Sequence, residues 1–219
     1  MTAAHRLADT TRPPGPPRLD PDTIAAPDPQ HRAAVREQPL ATTGAHPPLF
    51  AVLGAHGGAA ASTLARWWAP AADTGPAWPA STETTQRVVV AARLCTPGLT
   101  AAADRLREWH AGLTPDGVQV IGLVLTPIRP GKVPAVVRRY RALVTDLAAA
   151  VYDIGWHDQL LEIELGELAE FSPFDPPPPR RAGLRHAVPA DVHRAGTQII
   201  TRLSATHRSV AAPPNSETT

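Results

Sequence analysis

The sequence predicts an α/β fold: three layers, with a mostly parallel sheet of about four or more strands covered by helices on both faces. Three observations carry the prediction. Short continuous apolar runs alternate with segments whose apolar residues recur at helical spacing, the pattern of strands joined by crossover helices. The first run ends in a glycine-rich stretch, as a buried strand entering a tight loop does. The chain has 219 residues, 43% of them apolar, enough for one medium core with tails rather than two full domains.

Residues 49–54, Leu-Phe-Ala-Val-Leu-Gly, form the first expected strand. Residues 62–69 place Leu64, Trp67 and Trp68 on one side of a helix that Pro70 stops. The stretch 73–86 reads as turn-rich, with Gly75-Pro76 and Trp78-Pro79, and leads into a second buried strand over 87–92. Thr96 as cap and Pro97 behind it open a helix whose stripe is Leu99, Ala102, Leu106 and Trp109, with Gly112 as the stop. Residues 118–125 are β-branched and apolar, a third strand. From Pro134 a helix is expected to face Val136, Val137, Tyr140, Leu143, Val144 and Leu147 inward. A fourth strand over 151–154, a short helix over 160–171 and an extended proline run at 176–179 follow. The closing helix, from about Asp191, buries Val192, Ala195, Ile199 and Leu203.

The ends differ in composition. Residues 1–48 hold ten of the 26 prolines and no sustained hydrophobic period, so they read as a disordered Pro/Ala-rich arm, with 30–38 compatible with a helical turn or two. Residues 205–219 read as a disordered tail, leaving 49–204 as the folded domain. No apolar run is long enough to span a bilayer and the N-terminus lacks a secretory pattern, so the expected location is cytoplasmic. Lone Cys95 excludes an intramolecular disulfide, and 21 basic against 20 acidic residues give no strong nucleic-acid signal. Among the nine histidines, no pair has the i, i+4 spacing of a helical zinc site.

The chemistry concentrates after the first strand. Ligands of open parallel sheets bind outside the carboxyl ends of the strands. There the chain reads Ala55-His56-Gly57-Gly58-Ala59-Ala60-Ala61-Ser62-Thr63, small residues whose N–H groups can curl around an anion at the start of a helix. The same residues also read as a plain glycine-rich corner. Arg93, ending the next strand, has the planar donor fork that suits phosphate, or is simply solvated. Trp156 and His157 fall on the same rim, while Trp67, Trp68 and Trp109 read as core and Arg138, Arg139 and Arg141 as a solvated helix face.

This loop resembles the deviant phosphate loop of the MinD/ParA-like ATPases, which position division sites and partition plasmids and chromosomes; their loop runs Lys-Gly-Gly-any-Gly-Lys-Thr-Thr. His56 stands at the signature lysine, Gly57 and Gly58 match, Ala59 takes the free position, Ala60 replaces the third glycine, Ala61 replaces the phosphate-binding lysine, and Ser62 and Thr63 match the hydroxyl pair. Thr96-Pro97 after a hydrophobic strand, Val120-Ile121-Gly122-Leu123-Val124-Leu125 and Ile154-Gly155-Trp156-His157-Asp158 look like later parts of that family, so the resemblance spans 49–171. The phrase from Gly54 to Gly58 followed by Ser62-Thr63-Leu64-Ala65 also resembles actinobacterial proteins of unknown function related to these ATPases. The resemblance implies ATP or GTP with magnesium as ligand, Ser62 as the metal's hydroxyl, and an unidentified protein partner.

The departures argue against turnover. The phosphate-loop lysine supplies fixed positive charge where charge accumulates in phosphoryl transfer, and Ala61 supplies none. An ordinary imidazole is mostly neutral at pH 7, so His56 is a poor replacement. Magnesium also needs a carboxylate at a neighbouring strand end; 87–94 contains none, and 73–86 reads as too short for the extra strand that carries the family's aspartate. The expectation is a non-hydrolysing relative with weak or vestigial nucleotide or phosphate binding. A divergent ATPase in partition, conjugation or secretion, and an interaction domain without nucleotide, are the alternatives.

Overall fold

The computed structural model of the chain describes residues 20, 23–42, 46–179 and 181–211. In chain order its elements are β1 (Ala34–Arg36), β2 (Phe50–Gly54), α1 (Ala61–Trp67), β3 (Ala71–Gly75), β4 (Ala77–Pro79), β5 (Arg87–Arg93), α2 (Thr96–His110), β6 (Gln119–Thr126), α3 (Ala135–Thr145), β7 (Val151–Asp153) and α4 (Ala190–Ala211). Five strands make one sheet in the order β3-β2-β5-β6-β7, every neighbouring pair parallel.

The continuous apolar strands are buried on both faces, and their period of two sorts the core into two layers. Phe50, Val52, Val89, Ala91 and Val124 meet Leu64 and Trp67 of α1 and Val192, Ala195, Ile199 and Leu203 of α4. Ala51, Leu53, Val88, Val90 and Leu125 meet Leu99, Ala102, Leu106 and Trp109 of α2 and Val137 and Val144 of α3. Two bulges adjust the register. In β6, Val120 pairs with Val88 and Gly122 with Val89, leaving Ile121 as the extra residue. Gly122 leaves room for Tyr152, because a Cβ there would come within 2.7 Å of the ring.

The connections create a switch point. From β2 the chain passes through α1 to β3 on one side, then returns across β2 to β5, whose helix α2 covers the opposite face. Strand ends at such a reversal diverge and leave a crevice. It lies between β2 and β5.

Several elements depart from the sequence expectation. The stretch read as turns holds the end of β3 and the whole of β4, and Gly75, at φ +67°, ends β3. Within 1–48, where 1–19, 21–22 and 43–45 lie outside the described residues, a 3-10 turn at Pro29–His31 and the strand β1 show that the expected disorder does not extend over 29–36, and they stand where a helical turn was expected. The strand β1 pairs parallel with β4, Val35 opposite Trp78, and Leu40 is buried. The cause is long-range: Trp78 needs cover, and the Ala33 N–H donates to both oxygens of the buried Glu108 carboxylate. Residues 1–19 lie outside the described residues. Thr96 is the first residue of α2 rather than its cap, and Cys95 takes the cap position without a side-chain bond. On α3, Val136 and Leu143 face solvent at 65% and 68% exposure, because only the Val137–Val144 line meets α2 and the sheet. Over 160–171 the chain makes 3-10 turns at Asp158–Leu161 and Leu165–Glu167, then extends so that Phe171 bridges Trp68. The last helix continues to Ala211, past the expected end at 204, and residues 212–219 lie outside the description. Among the described residues, no helix is long and apolar enough to cross a membrane.

Candidate functional site

The loop after β2 is shaped by its own backbone and by Arg93. The Ala55 N–H donates to the Ala91 carbonyl and continues the β2–β5 ladder by one residue. The His56 Nε2 accepts from the Arg93 backbone N–H at 3.1 Å, so its proton sits on Nδ1, which donates to the Gly57 carbonyl at 2.7 Å. Gly58 and Ala60 both take the left-handed conformation, at φ +75° and +70°. Ala59, buried, donates its N–H to the His56 carbonyl. The turn is tight enough that Gly54 has Ala61 and Ala59 side chains at ordinary contact from where its Cβ would be.

This conformation leaves donors over. The N–H groups of Gly57, Gly58, Ala60, Ala61, Ser62 and Thr63 have no protein acceptor among the described residues, while Leu64 begins the helical ladder on the Ala60 carbonyl. Unbonded amides in a glycine-rich loop at a strand's carboxyl end are donors of the kind that can hold an anion. The helix behind it has only seven residues, so the loop amides rather than a long helix dipole set its character.

Arg93 lies across the loop. Its Nε donates to the Gly58 carbonyl at 2.7 Å and its Nη1 to the Pro127 carbonyl at 2.9 Å and to Thr126 Oγ1 at 3.3 Å. Burial lowers the pKa of this guanidinium from its ordinary value, and neighbouring Cys95 opposes that shift. Its Nη2 makes no hydrogen bond among the described residues, and Arg93 lines the adjoining crevice.

The crevice has a volume of about 420 Å³. Ala60, Thr63 and Arg93 supply its polar end, and Trp67, Ile154 and Leu168 its apolar floor. Trp156 and His157 do line this rim, His157 edge-on to Trp67 with ring centroids 5.7 Å apart. His157 Nε2 lies 3.2 Å from Asp191 Oδ1. Burial alone would raise the Asp191 pKa; contact with His157 and donation from the Gly155 and Val192 N–H groups outweigh it and hold the carboxyl below its usual range.

Ser62 and Thr63 face different hollows. Thr63 opens on the crevice, whereas Ser62 opens on a second hollow of about 450 Å³ on the other side of α1. There Ser62 Oγ donates to Asp73 Oδ2 at 2.5 Å, and Asp73 Oδ1 accepts the Gly75 N–H at 2.7 Å. The strand over 87–93 indeed carries no carboxylate, but the stretch from 73 read as too short for an acid-bearing strand begins within β3, the neighbour on the other side of β2, with Asp73 in register with Val52. The sequence signal was Asp73 itself, obscured because Ala-Ala-Asp-Thr-Gly lacks the β-branched bulk of an obvious strand. Among the described residues, no group of three or more His, Cys, Asp or Glu could hold a metal ion.

All ten sequence-predicted site residues, Ala55 to Thr63 and Arg93, fall at this carboxyl edge of the sheet. Compared with protein-family models, curated proteins and solved structures, the chain matches none.

Proposed function

We propose that the chain is a non-hydrolysing binding module that takes a phosphate-bearing ligand, of the ATP or GTP type, at the switch-point crevice. The observation that carries this is the set of six unbonded amides at Gly57, Gly58 and Ala60–Thr63, of which Ala60 and Thr63 line a crevice with an apolar floor. The amides take a phosphate, Arg93 adds positive charge from the crevice lining, and Trp67 and Ile154 give an apolar body somewhere to rest. The order of strand, glycine loop, helix and acid-bearing strand supports a degenerate MinD/ParA-like relation. The means for turnover are weak: no lysine stands in the loop, and the positive side chain that reaches it is committed through Nε and Nη1 to carbonyl and hydroxyl oxygens.

One observation favours the divergent ATPase as a second reading. Ser62 Oγ beside Asp73 Oδ2 is the pairing of hydroxyl and neighbouring-strand carboxylate on which magnesium would be held, and bound magnesium would supply charge neutralisation to a phosphate. Calorimetric titration with magnesium-ATP and magnesium-GTP, with phosphate release followed in the same samples, separates the readings. Binding without release is expected. Magnesium-dependent release that Ser62→Ala abolishes would establish the ATPase instead, and no binding at millimolar nucleotide would leave a protein-interaction domain.

A further inference from the structure

We propose that the loop after β6 and the adjoining flank of α3 form a surface that lies on a bilayer of anionic lipid. The chain carries 21 basic and 20 acidic residues, yet between Asp116 and Asp146 it has five cations, Arg129, Lys132, Arg138, Arg139 and Arg141, and no acid. The fold sets them together. Residues 127–134 lead from β6 into α3, and Arg138 Nη1 donates to the Val133 carbonyl at 2.7 Å, which fastens the loop to the start of the helix. Two of the five are committed inside the protein, Arg138 to that carbonyl and Arg141 to the Asp153 carboxylate at 2.7 Å. The side chains of Arg129, Lys132 and Arg139 belong to exposed residues and make no hydrogen bond or ion pair among the described residues.

The same surface is apolar where a purely solvated face would be polar. Val136 and Leu143, 65% and 68% exposed, are seven residues apart and therefore share one flank of α3, about 10 Å from each other along the axis. Arg139 stands between them, three residues after the first and four before the second. Ile128, in the loop, is 52% exposed. The inward pair Val137 and Val144 already makes the contact with α2 and the sheet, so the outer aliphatics are surplus to the core. A single exposed aliphatic needs no account. Three of them among unpaired cations have the composition of an interfacial surface, in which aliphatic side chains enter the headgroup region while Lys and Arg meet the lipid anions. A partner recognised by charge alone, such as duplex nucleic acid, would use the cations and leave the aliphatics in water. Two acids border the patch: Asp146 at the end of α3, and Asp104 of α2, one turn past the Thr100 hydroxyl that lies 3.1 Å from the Tyr140 hydroxyl. Each cation near an anionic leaflet strengthens partition about fivefold, so three free cations supply what a small apolar patch alone does not.

The full chain is sedimented with vesicles of equal parts phosphatidylcholine and phosphatidylserine, and with vesicles of phosphatidylcholine alone, in the absence of nucleotide. Saturable binding to the mixed vesicles is expected, lost in high salt and absent from phosphatidylcholine alone. Lys132→Glu with Arg139→Glu should weaken it about tenfold or more, and Val136→Ser with Leu143→Ser about threefold or more. Both pairs are exposed, so each variant should keep the urea midpoint of the parent chain. Absence of binding to the mixed vesicles, or binding that either pair of substitutions leaves unchanged, overturns the proposal. So does binding of duplex DNA that needs Lys132 and Arg139 but not Val136 and Leu143, without vesicle binding, which would make the surface one for nucleic acid. These outcomes are independent of whether the loop after β2 binds phosphate.

Discussion

At the scale of single residues, the loop carries strain where an alanine holds a conformation that favours glycine. Ala60 holds φ +70°, which costs an L-residue about 1–2 kcal/mol, partly offset because glycine has more unfolded-state freedom to lose. Ala60→Gly should therefore stabilise the protein by about 0.5–1 kcal/mol in urea unfolding, with the loop conformation kept. Gly57, where a Cβ meets nothing and φ is not positive, is the near-neutral control as Gly57→Ala. Asp191 gives a pH signature. Its carboxyl is held below the usual range by His157 and two N–H donors, so its contribution is fully present above the unfolded-state value of about 4 and is lost as pH falls through the lower native value. Asp191→Asn should lower stability at neutral pH and flatten the acid limb of the stability curve, read as the urea midpoint between pH 6 and pH 2.

At the scale of elements, the placement of Arg93 depends on how closely α2 approaches the end of β5. A Cβ at Gly98 would overlap the Arg93 carbonyl, so the helix start and the strand end must part if one is added. Gly98→Ala should cost about 1–3 kcal/mol and should also weaken any ligand held through Arg93, measured by unfolding and by titration of the same sample. The helix stripe of α2, the inward residues of α4 and the strands β2, β5 and β6 were legible in the sequence because each carries enough apolar residues at one period to decide its own state. The strands β1, β3 and β4 were not. Their residues are small, charged or proline-bearing, and they become strands through pairing partners distant in sequence, Ala34 with Ala77 and Asp73 with Val52. The two-faced α3 misled for a related reason: six apolar positions suggested a broad inner face, but only a narrow line meets the sheet. The glycine loop and Arg93 could be read from residue type and order, whereas the Ser62–Asp73 pair required knowing that β3 lies beside β2.

At the scale of the molecule, the N-terminal strand ties two remote parts together. Arg105 and Glu108 form a buried pair on α2, 3.1 Å apart, and Glu108 accepts the Ala33 N–H with both oxygens. Glu108→Ala leaves the guanidinium buried without its counter-charge and removes the acceptor that holds β1, so a loss of about 3–5 kcal/mol is expected in urea unfolding. Replacing both partners by apolar residues, Arg105→Met with Glu108→Leu, should cost less than the single change while still freeing β1, seen as faster amide exchange at residues 34–36. The whole arrangement, a parallel sheet whose chain reverses at β2 and β5, brings Ala60 and Thr63 of the loop, Arg93 and the apolar floor to one crevice. Amide shift mapping of the ¹⁵N-labelled chain during titration with magnesium-ATP tests that assembly most directly. Saturable shifts centred on Gly57, Gly58 and Ala60–Thr63, and on the Arg93 side chain, are the predicted result; shifts absent at millimolar nucleotide, or confined to the arginines of α3, would contradict it.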